Sequence, residues 1–576
     1  MFIKKIIIKY FRNIESIYLD VNKGLNVFIG ENNSGKSSTI DALRICLGWG
    51  NQEKSIYIKK DDIYIDRSNP AFHPKPIEFD LFFGIENPQE KSIYYELLCN
   101  KDSQLEPQIH YRFWFEEINE REVFKHEIWG GENKGQLIPG EIFDLFRNVY
   151  LGALRDAVKD LQLSNGNKLG CLLERLEPDK TRQIQMAKSL DNLLHTDHNW
   201  KTLRETAQCK VNEHLNKSSI EGKEIKVDLR FLDAEFRRIA GNLRARVPVF
   251  FTLGENNQNQ KWFQINQNGL GDNNRIYIAS VLGDLLHIKD VEKESFVALL
   301  IEEPEAHLHP QLQSILFTYF GSLSKNIQVF ISSHSPTITA KTAIDTIIAF
   351  QNVNNKIRIL SLKNSDLNLH DKLHLHKFLD VTKAQLFFAN GVILVEGISE
   401  ALLLPIFAKI MGRQENNEEK YNLTKFGIEI VNIDGVSFNS FAKLFNSEDE
   451  NKRLSTRCTI ITDSDPPNES TQTSVRAQNA LALKSGLLEV QLSTKTFEYD
   501  LFQASEENKL IMESVYKEMH RNTTLNGVDD FLNKLNTNKD KGEFSQKLLI
   551  KLEGEGLNFI VPDYIKKSIK WVTHAE

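Results

Sequence analysis

The chain has 576 residues and a formal net charge of −7, with 41% hydrophobic and 26% charged residues. This composition is typical of a soluble globular protein of two or three domains, and it excludes a disordered chain. No apolar run approaches the roughly 20 residues that span a bilayer, and we see no signal peptide, so we expect a cytoplasmic protein without membrane contact. The five cysteines contain no CxxC pair, which argues against a zinc ribbon or a disulfide framework. The acidic balance leaves DNA binding open, because a local basic surface would suffice.

The first half of the chain begins as an α/β pattern. Strands are predicted at Phe2–Ile8 and Gly24–Ile29, followed by a glycine-rich turn and a helix. Alternating apolar and polar residues from about 55 to 150 predict antiparallel strands. From Asp156 to about Lys217 the apolar spacing becomes helical, which predicts a helical insertion of the kind that mediates dimer contacts.

The second half contains two further α/β stretches. Short strands are predicted at Ile225–Phe231 and Val247–Leu253, before an α/β stretch from Phe296 to about Leu362. The His- and Lys-rich segment LHDKLHLHKFL, residues 369–379, is interpreted as a linker. A β-α-β-α-β pattern then runs between Val392 and Asp463.

The strongest motif is GENNSGKS at Gly30–Ser37, which matches GxxxxGK[ST] between a predicted strand and a helix. Glycines allow a tight loop whose backbone N–H groups point at phosphate oxygens beside the positive end of the helix. Lys36 would neutralise phosphate charge, and the Ser37 hydroxyl would ligate Mg²⁺. The motif therefore predicts an ATP site.

Acidic and imidazole side chains follow two later strands. In VALLIEEPEAHLHP, Glu302 is predicted to hold Mg²⁺ and Glu303 to polarise the water that attacks the γ-phosphate. In QVFISSHSPTI, His334 is placed to touch that phosphate. A zinc site is the alternative reading of the first segment, although a nucleotide-hydrolysis loop fits it better; its ligands would be Glu303, Glu305, His307 and His309. The predicted nucleotide-binding residues are Gly30, Asn32, Asn33, Ser34, Gly35, Lys36, Ser37, Ser38 and Glu302.

The order of these motifs, with FRN at Phe11–Asn13, resembles the ABC-type ATPases of the SMC, Rad50 and RecF group. The turn Asn268–Gly271 stands where transporter-like ABC proteins carry Leu-Ser-Gly-Gly, and no Q-loop glutamine can be assigned. These departures leave the rate of hydrolysis open more than nucleotide binding. The resemblance implies that ATP lies between two protomers, so we expect at least a dimer.

Carboxylates also collect after the strands of the C-terminal stretch. Glu396 ends one strand, with Glu400 on the next helix turn, and a DG dipeptide ends the second strand. Asp463 and Asp465 end the third. Open α/β sheets place their sites at this edge, and hard oxygen ligands suit Mg²⁺ or Mn²⁺, which can activate water for phosphodiester cleavage. This ordered set resembles the Toprim domain of topoisomerases, primases and certain nucleases.

The two halves together resemble the OLD (overcoming lysogenization defect) family of nucleases, which includes the nuclease subunits of Gabija-type anti-phage systems. The resemblance implies an α/β fold: an N-terminal ABC-type P-loop ATPase domain at 1–382, with a helical dimerisation insertion at about 152–222, and a C-terminal Toprim domain with a Rossmann-like parallel sheet at 383–576. It also implies that Lys541 steadies transition-state charge. The implied metal ligands are Ser37, Glu302, Glu396, Glu400, Asp463, Asp465, Glu498 and Asp500. The implied catalytic residues are Glu303, His334, Glu396, Asp463, Asp465 and Lys541.

The resulting hypothesis is an ATP-binding, Mg²⁺- or Mn²⁺-dependent endonuclease of double-stranded DNA, acting in anti-phage defence as a homodimer or higher homo-oligomer. Nucleotide would regulate assembly or cleavage. Whether the protein also binds a partner helicase or a retron-type RNA–DNA stays open. The alternative is a RecF- or SMC-like repair ATPase without nuclease activity, which leaves the C-terminal carboxylates unexplained. A topoisomerase or primase is disfavoured, because zinc-binding cysteines and a tyrosine-bearing domain are lacking. The basic stretch Arg237–Arg246 is interpreted as a solvated helix face, and Lys566–Lys570 as part of an amphipathic terminal helix; contact with DNA phosphates is the alternative for both.

Overall fold

The computed structural model places most of the chain in two compact units. Unit 1 comprises Met1–Asn148, Ala298–Glu305 and Pro310–Glu576, and unit 2 comprises Val149–Val297 and Ala306–His309. The predicted domain boundary at 382/383 lies inside unit 1 and stays a prediction. The structure describes residues 1–50, 56–66, 73–101, 104–153, 161, 168–218, 225–249, 261–291, 295–306, 308–435, 437–466, 474–521, 523–537, 539–555 and 558–574.

The strands of the described chain are numbered in chain order. They are β1 Phe2–Phe11, β2 Ile14–Asp20, β3 Leu25–Gly30, β4 Ile77–Gly84, β5 Leu98–Lys101, β6 Gln104–Ile118, β7 Arg121–Gly130, β8 Phe146–Leu151, β9 Arg246–Pro248, β10 Trp262–Gln264, β11 Phe296–Glu302, β12 Gln328–Ser333, β13 Ile347–Val353, β14 Lys356–Ser361, β15 Gly391–Val395, β16 Ile428–Asn432, β17 Arg457–Thr462 and β18 Leu488–Leu492.

The helices are numbered in the same way. They are α1 Lys36–Leu47, α2 Pro88–Ile93, α3 Gly140–Asp144, α4 Lys168–Leu176, α5 Lys180–Thr196, α6 His198–Lys217, α7 Phe236–Gly241, α8 Leu270–Val291, α9 Pro310–Leu323, α10 Pro336–Lys341, α11 Leu369–Phe378, α12 Ile398–Gln414, α13 Asn439–Ala442, α14 Val475–Leu481, α15 Phe497–Gln503, α16 Glu506–Met519, α17 Val528–Thr537, α18 Lys541–Glu555 and α19 Asp563–Thr573. Short 3₁₀ turns lie at Lys60–Asp62, Tyr95–Leu97, Ile265–Gln267, Ile344–Thr346, Lys383–Phe388 and Glu450–Lys452.

The first sheet of unit 1 is antiparallel, with strand order β2-β1-β4-β6-β5 and β7 paired with β6. Its strands follow the predicted alternation, as β4 shows by burying Ile77, Phe79, Leu81 and Phe83 while the residues between them are half-buried. A period of two places one side-chain set on the core face, which fixes the pairing register.

The second sheet of unit 1 carries the ATPase motifs. Its strands run in the order β14-β13-β3-β12-β11, and β13, β3, β12 and β11 are parallel. The register pairs Ile29 with Ser333 on one side of β3 and Gly30 with Phe350 on the other, while Glu302 pairs with Ser332. Since these parallel strands end at one edge, the P-loop, the acidic loop and the His334 loop lie together.

The third sheet of unit 1 is fully parallel, in the order β16-β15-β17-β18. The chain passes from β15 to β16 on one side and then to β17 on the other, so a topological switch point lies between the ends of β15 and β17, where such sheets place ligands. Helices cover the sheet through a continuous apolar core that includes Leu404, Phe407, Phe497, Leu548 and Ile569. The core holds the carboxyl ends of the strands in fixed register.

Unit 2 contains helices α4 to α8 and the β9–β10 hairpin. The predicted insertion is helical from Lys168 to Lys217, apart from short turns, and residues 154–160, 162–167 and 219–224 of it lie outside the described residues. The predicted strand at Ile225–Phe231 is wrong. Its backbone N–H groups at Val227 and Leu229 bond the side chains of Asn212 and Gln208 instead of a neighbouring strand.

Two further expectations about elements are settled by the structure. The interpretation of residues 369–379 as a linker is wrong over most of that segment. Helix α11 occupies Leu369–Phe378, and a capping box between Asn368 and Asp371 starts it. The terminal basic segment forms α19, which buries Ile565, Ile569 and Val572, so its amphipathic interpretation is confirmed. Of the predicted strand Val247–Leu253, β9 reaches Pro248, and residues 250–253 lie outside the described residues. Among the helices that the structure describes, none is long and apolar enough to cross a membrane.

Candidate active sites

The P-loop joins β3 to α1 in a conformation that requires glycine. Gly30 has φ +140°, and a Cβ there would lie 2.0 Å from the backbone carbonyl oxygen of Phe350. Gly35 has φ +97° at the N-terminus of α1. Lys36 Nζ donates to the carbonyl oxygens of Gly30 and Glu31, at 2.9 and 2.6 Å, and to Ser34 Oγ at 3.2 Å. The lysine ammonium therefore lies within the loop that is predicted to hold phosphate.

Acidic side chains surround this lysine. Burial lowers the pKa of Lys36 to about 8, and the negative charges of Glu303, Glu31, Glu305 and Glu302 oppose that shift. Bound phosphate would add further negative charge and favour the charged ammonium. The other predicted nucleotide ligands divide by exposure: Asn32, Asn33 and Ser37 are exposed, while Ser34, Gly35 and Ser38 are buried.

Residues of the FRN segment brace the P-loop, a role that the sequence interpretation missed. Asn13 Nδ2 donates to the Asn33 carbonyl oxygen at 2.8 Å, and Ser38 Oγ donates to Asn13 Oδ1 at 2.9 Å. Arg12 bridges Asp41 on α1 and Asp62, at 2.6 and 2.8 Å. The sequence feature that could have indicated this role is the position of FRN shortly before the P-loop.

The acidic loop after β11 meets the loop after β12. Glu303 has φ 43°, its backbone N–H donates to the Ser332 carbonyl oxygen at 2.9 Å, and its Oε1 lies 3.8 Å from His334 Nε2. Glu305 Oε1 accepts from Ser333 Oγ at 2.7 Å and from the His334 backbone N–H at 3.0 Å. Burial and the nearby charge of Lys36 lower the pKa of His334, which favours a neutral imidazole. Glu305 thus positions the loop of His334, and its role was missed from sequence.

The remaining ATPase predictions are only partly described. In unit 2 the Asn268–Gly271 turn opens α8 at Leu270, and Asn273 Nδ2 holds it by donating to the Ile265 carbonyl oxygen at 2.8 Å. His307 of the zinc alternative lies outside the described residues.

The Toprim carboxylates begin at the switch point. Glu396 follows β15, and its Oε1 accepts from the Thr462 hydroxyl and from the Asp463 backbone N–H, the latter at 3.1 Å. Asp463 follows β17, and its Oδ1 accepts from Ser493 Oγ at 3.0 Å. The two neighbouring strand ends therefore bring these carboxyl groups together, as predicted from the sequence pattern.

Their electrostatics show how closely the acidic groups are gathered. Burial raises the pKa of Asp463 to about 8, and repulsion from Glu396, Glu498 and Glu400 adds to the shift. Burial likewise raises the pKa of Glu400 to about 7, with repulsion from Glu498 and Glu396. A positive ion placed among these groups would favour their charged forms.

Lys541 lies beside the same carboxylates at the start of α18. Its Nζ is 3.2 Å from Glu498 Oε2, and the Glu498 side chain is 5% exposed. Burial opposes the lysine charge, yet Glu498, Asp463 and Glu400 together raise the pKa of Lys541. The ammonium therefore stays charged at neutral pH and offsets part of the negative charge.

Asp465 and Asp500 lie in different surroundings from this cluster. Asp465 is exposed with φ 39°, although its charge contributes to the raised pKa of Glu396. Asp500 Oδ2 accepts from the Thr494 backbone N–H at 2.7 Å, and its Oδ1 accepts from the Thr494 hydroxyl. The structure thus brings together Glu396, Glu400, Asp463, Glu498 and Lys541, with Asp465 at the exposed side and Asp500 holding the loop after β18.

The chemistry of this donor set fits a divalent cation: Glu498, Asp463 and Glu400 act on Lys541, and Glu396 bonds the backbone N–H of Asp463. In the described chain, no three His, Cys, Asp or Glu side chains already lie in an arrangement that would ligate one ion. The carboxylates instead bond Thr462, Ser493 and Lys541. Metal binding would require such side chains to rotate toward a common point.

Other polar groups near the cluster were not found from sequence. The Tyr564 hydroxyl is buried with no hydrogen-bond partner among the described residues. Burial raises its pKa well above the usual value, and the charges of Asp500, Asp463 and other carboxylates add to the shift. A lone tyrosine in a terminal helix gives no sequence signal of its own.

Lys383, before β15, lies 3.1 Å from Asp434 of the DG dipeptide and 2.9 Å from Asp380.

Comparison with known proteins assigns the family. A model of the AAA ATPase domain matches residues 1–126 and 155–339, just over half of the chain. The chain belongs to the AAA ATPase domain family. A second model, the Toprim domain of overcoming lysogenization defect-like proteins, matches residues 387–465, which span Glu396 to Asp465. The predicted combination of an ATPase with an OLD-like Toprim domain, and with it the α/β fold class, is confirmed.

Relatives of similar length carry one name. The chain is 24% identical to "Endonuclease GajA" of Bacillus cereus (strain HuB5-5), over 95% of this chain and 92% of that protein. It is 22% identical to "Endonuclease GajA" of Bacillus cereus (strain VD045), over 77% and 72%. Among solved structures, the C-terminal region of the Xanthomonas campestris pv. campestris OLD protein has 22% identity and a TM-score of 0.25, covering 33% of this chain and 95% of that one.

Proposed function

We propose that this OLD-like protein is a metal-dependent endonuclease of double-stranded DNA whose cutting site is the carboxylate cluster around Lys541. The observation that carries the proposal is that Glu396 and Asp463 meet at the carboxyl edge of the Toprim sheet, where Glu400 and Glu498 also raise the pKa of Asp463. The family match and the length shared with proteins named "Endonuclease GajA" support it. A role in anti-phage defence stays a prediction from the resemblance, and a cytoplasmic location stays a prediction from the sequence.

The chain's own residues divide the work at this site. Glu396, Glu400, Asp463 and Glu498 would hold Mg²⁺ or Mn²⁺, with Asp465 on the exposed side toward DNA. When bound, the metal supplies Lewis-acid activation of water and neutralises phosphate charge. Lys541 holds its proton beside Glu498, so it would stabilise the negative charge that develops on the phosphate oxygens in the transition state. Ser493 and Thr462 orient the carboxylates through hydrogen bonds.

The ATPase half would bind ATP·Mg²⁺ and regulate cleavage or assembly. Lys36 and the P-loop N–H groups would hold the phosphates, Ser37 and Glu302 the ion, and Glu303 and His334 the attacking water and γ-phosphate. Contacts within unit 1 support communication between the two halves: Gln351 on β13 bonds Thr456 and Ser455, which precede β17. β17 ends at Thr462, and Asp463 follows it. A nucleotide-dependent change in β13 would therefore reach the proposed cutting site along β17.

A homodimer or higher homo-oligomer is the assembly that we propose. Within unit 2, the helical arm exposes apolar side chains on α5 and α6, including Leu193 at 62%, Leu203 at 63% and Trp200 at 46%. Exposed apolar groups in such number are typical of association surfaces. Sedimentation of the protein with and without ATP tests the assembly, and a monomer under both conditions would contradict it. A partner helicase or a retron-type RNA–DNA is left open.

Metal removal tests the proposed activity. The protein is expected to convert supercoiled plasmid to nicked or linear DNA with Mg²⁺ or Mn²⁺, to stop when EDTA is added, and to resume when the metal is restored. Adding ATP should change the rate, whereas Lys36→Ala should make cleavage insensitive to ATP. A wild-type protein that cuts no DNA with either metal would instead favour a DNA-binding or repair ATPase without nuclease activity.

A further inference from the structure

Unit 1 has a cavity of about 550 Å³ whose lining comes from three segments. One is α11, the second is the loop that follows β16 and enters α13, and the third is α14. Its polar lining residues are His370, His374, Ser437, Asn439, Ser440, Arg476 and Asn479. A volume of this size is within the range of small-ligand pockets.

The lining is rich in hydrogen-bond donors. None of the described side chains that line the cavity is acidic, and Arg476 has no ion pair among the described residues. The rings of His370 and His374 stack with centroids 6.5 Å apart, and His374 Nδ1 is buried without a hydrogen-bond partner in the described chain. Asp371, on the same helix, is engaged by Lys443 at 2.6 Å and by Ser440 at 3.1 Å. Arg476 is therefore the cationic group of the lining, and the amides of Asn439 and Asn479 add hydrogen-bond donors suited to an anion.

The cavity lies at the same sheet edge as the carboxylates. Its middle segment follows β16, and α14 is the first described helix after β17, so both approach from the carboxyl ends of strands that flank β15. The backbone N–H of Gly435, two residues before the lining residue Ser437, donates to the Glu396 carbonyl oxygen at 2.9 Å, so this segment lies against the strand end that carries Glu396. A DNA strand that presents one phosphate to the metal ligands would carry a neighbouring phosphate close to this cavity.

We propose that this cavity is a DNA-strand subsite, in which Arg476, His370 and His374 bind a backbone phosphate near the scissile one. The inference rests on the proposed nuclease function and adds to it the residues that position the strand. Asn439 and Asn479 add amide donors, and Ala480 and Leu483 offer an apolar wall to the sugar or base. The carboxylates themselves repel phosphate, so a cationic contact beside them is what strand binding at this edge requires.

The test measures DNA binding apart from cleavage. Binding of a short fluorescein-labelled duplex by the full chain is followed by anisotropy in Ca²⁺ buffer over a range of salt concentrations. Arg476→Gln is expected to weaken binding about five- to tenfold and to lower the slope of log K against log salt by about one phosphate contact. The double variant His370→Ala/His374→Ala should weaken binding at low salt. Matched controls outside the lining, Lys484→Gln and His376→Ala, should bind like wild type.

The outcomes separate this inference from the proposed function. If Arg476→Gln binds DNA with wild-type affinity and salt slope, or if the controls lose as much, the subsite is wrong even when the wild type cuts DNA normally. If Arg476→Gln weakens binding while the wild type cuts nothing, the subsite stands and the nuclease proposal fails. Wild-type protein that binds no duplex would overturn the inference. Because Arg476 is exposed, its replacement should leave the melting temperature unchanged.

Discussion

Replacing Asp463 with Asn is expected to reduce DNA cleavage by about three orders of magnitude or more, because loss of one central metal ligand removes several kcal/mol of transition-state stabilisation. Asp463 lies at the switch point between β15 and β17, within the mutual repulsion of three other carboxylates. ATP binding should persist, since the P-loop lies on a different sheet. Plasmid conversion under single-turnover conditions measures the loss.

The same variant gives a stability signature in metal-free buffer. The pKa of Asp463 is raised in the fold to about 8 from its ordinary value of 3.8. The folded state therefore holds a proton that the unfolded state releases, and wild-type stability falls as pH rises from about 4 to about 8. Asn has no charge to bury, so Asp463→Asn should melt a few degrees above wild type near pH 8, with the difference shrinking near pH 5. A variant that melts lower at both pH values would contradict this electrostatic account.

Lys541→Gln is expected to lower cleavage by about 10²- to 10³-fold, as when one charge-stabilising donor is removed. The side chain is 43% exposed, so its ion pair with Glu498 contributes only modestly to stability. Removing the lysine nevertheless leaves the buried Glu498 carboxylate without its cation, and the metal-free protein should melt lower. Lys547→Gln, on the same helix but paired with exposed Glu543, is the matched control.

A double variant tests the electrostatic cause of this stability loss. Lys541→Gln/Glu498→Gln removes both charges, so the melting temperature should recover, while cleavage stays low because a proposed metal ligand is lost as well. A melting temperature that stays low would mean that the lysine is needed for packing of α18.

The sequence predicts where a candidate residue lies in the fold when that residue is at a strand end. Gly30 and Glu302 end an apolar strand, while His334, Glu396 and Asp463 come directly after one, and parallel strands in register bring such residues to one edge. A local sequence pattern therefore predicts which distant residues meet in the fold. The antiparallel strands were also predicted from a local pattern, because alternating apolar and polar residues match the period of a pleated sheet.

Side-chain hydrogen bonding explains most of what the sequence did not predict. The engagement of Asp500 by Thr494 and the bracing of the His334 loop by Glu305 depend on atoms that meet only in the folded chain. The absent strand at Ile225–Phe231 has a similar cause, since amide side chains from α6 bond its backbone. Helix α11 did have a signal: Asn368 followed three residues later by Asp371 is a capping box, and the cluster of histidines obscured it.

The central claim is that the Toprim carboxylates bind the metal ion that DNA cleavage requires. The most direct test is Mn²⁺ binding measured by electron paramagnetic resonance on nucleotide-free wild type and Asp463→Asn, from the same preparations used for cleavage. Without nucleotide, the P-loop lacks the phosphates that help hold its ion, so bound Mn²⁺ should report the Toprim site. We predict that the wild type binds Mn²⁺ and cuts plasmid, and that the variant loses both. Unchanged Mn²⁺ affinity and stoichiometry in Asp463→Asn would contradict the claim and place the metal elsewhere.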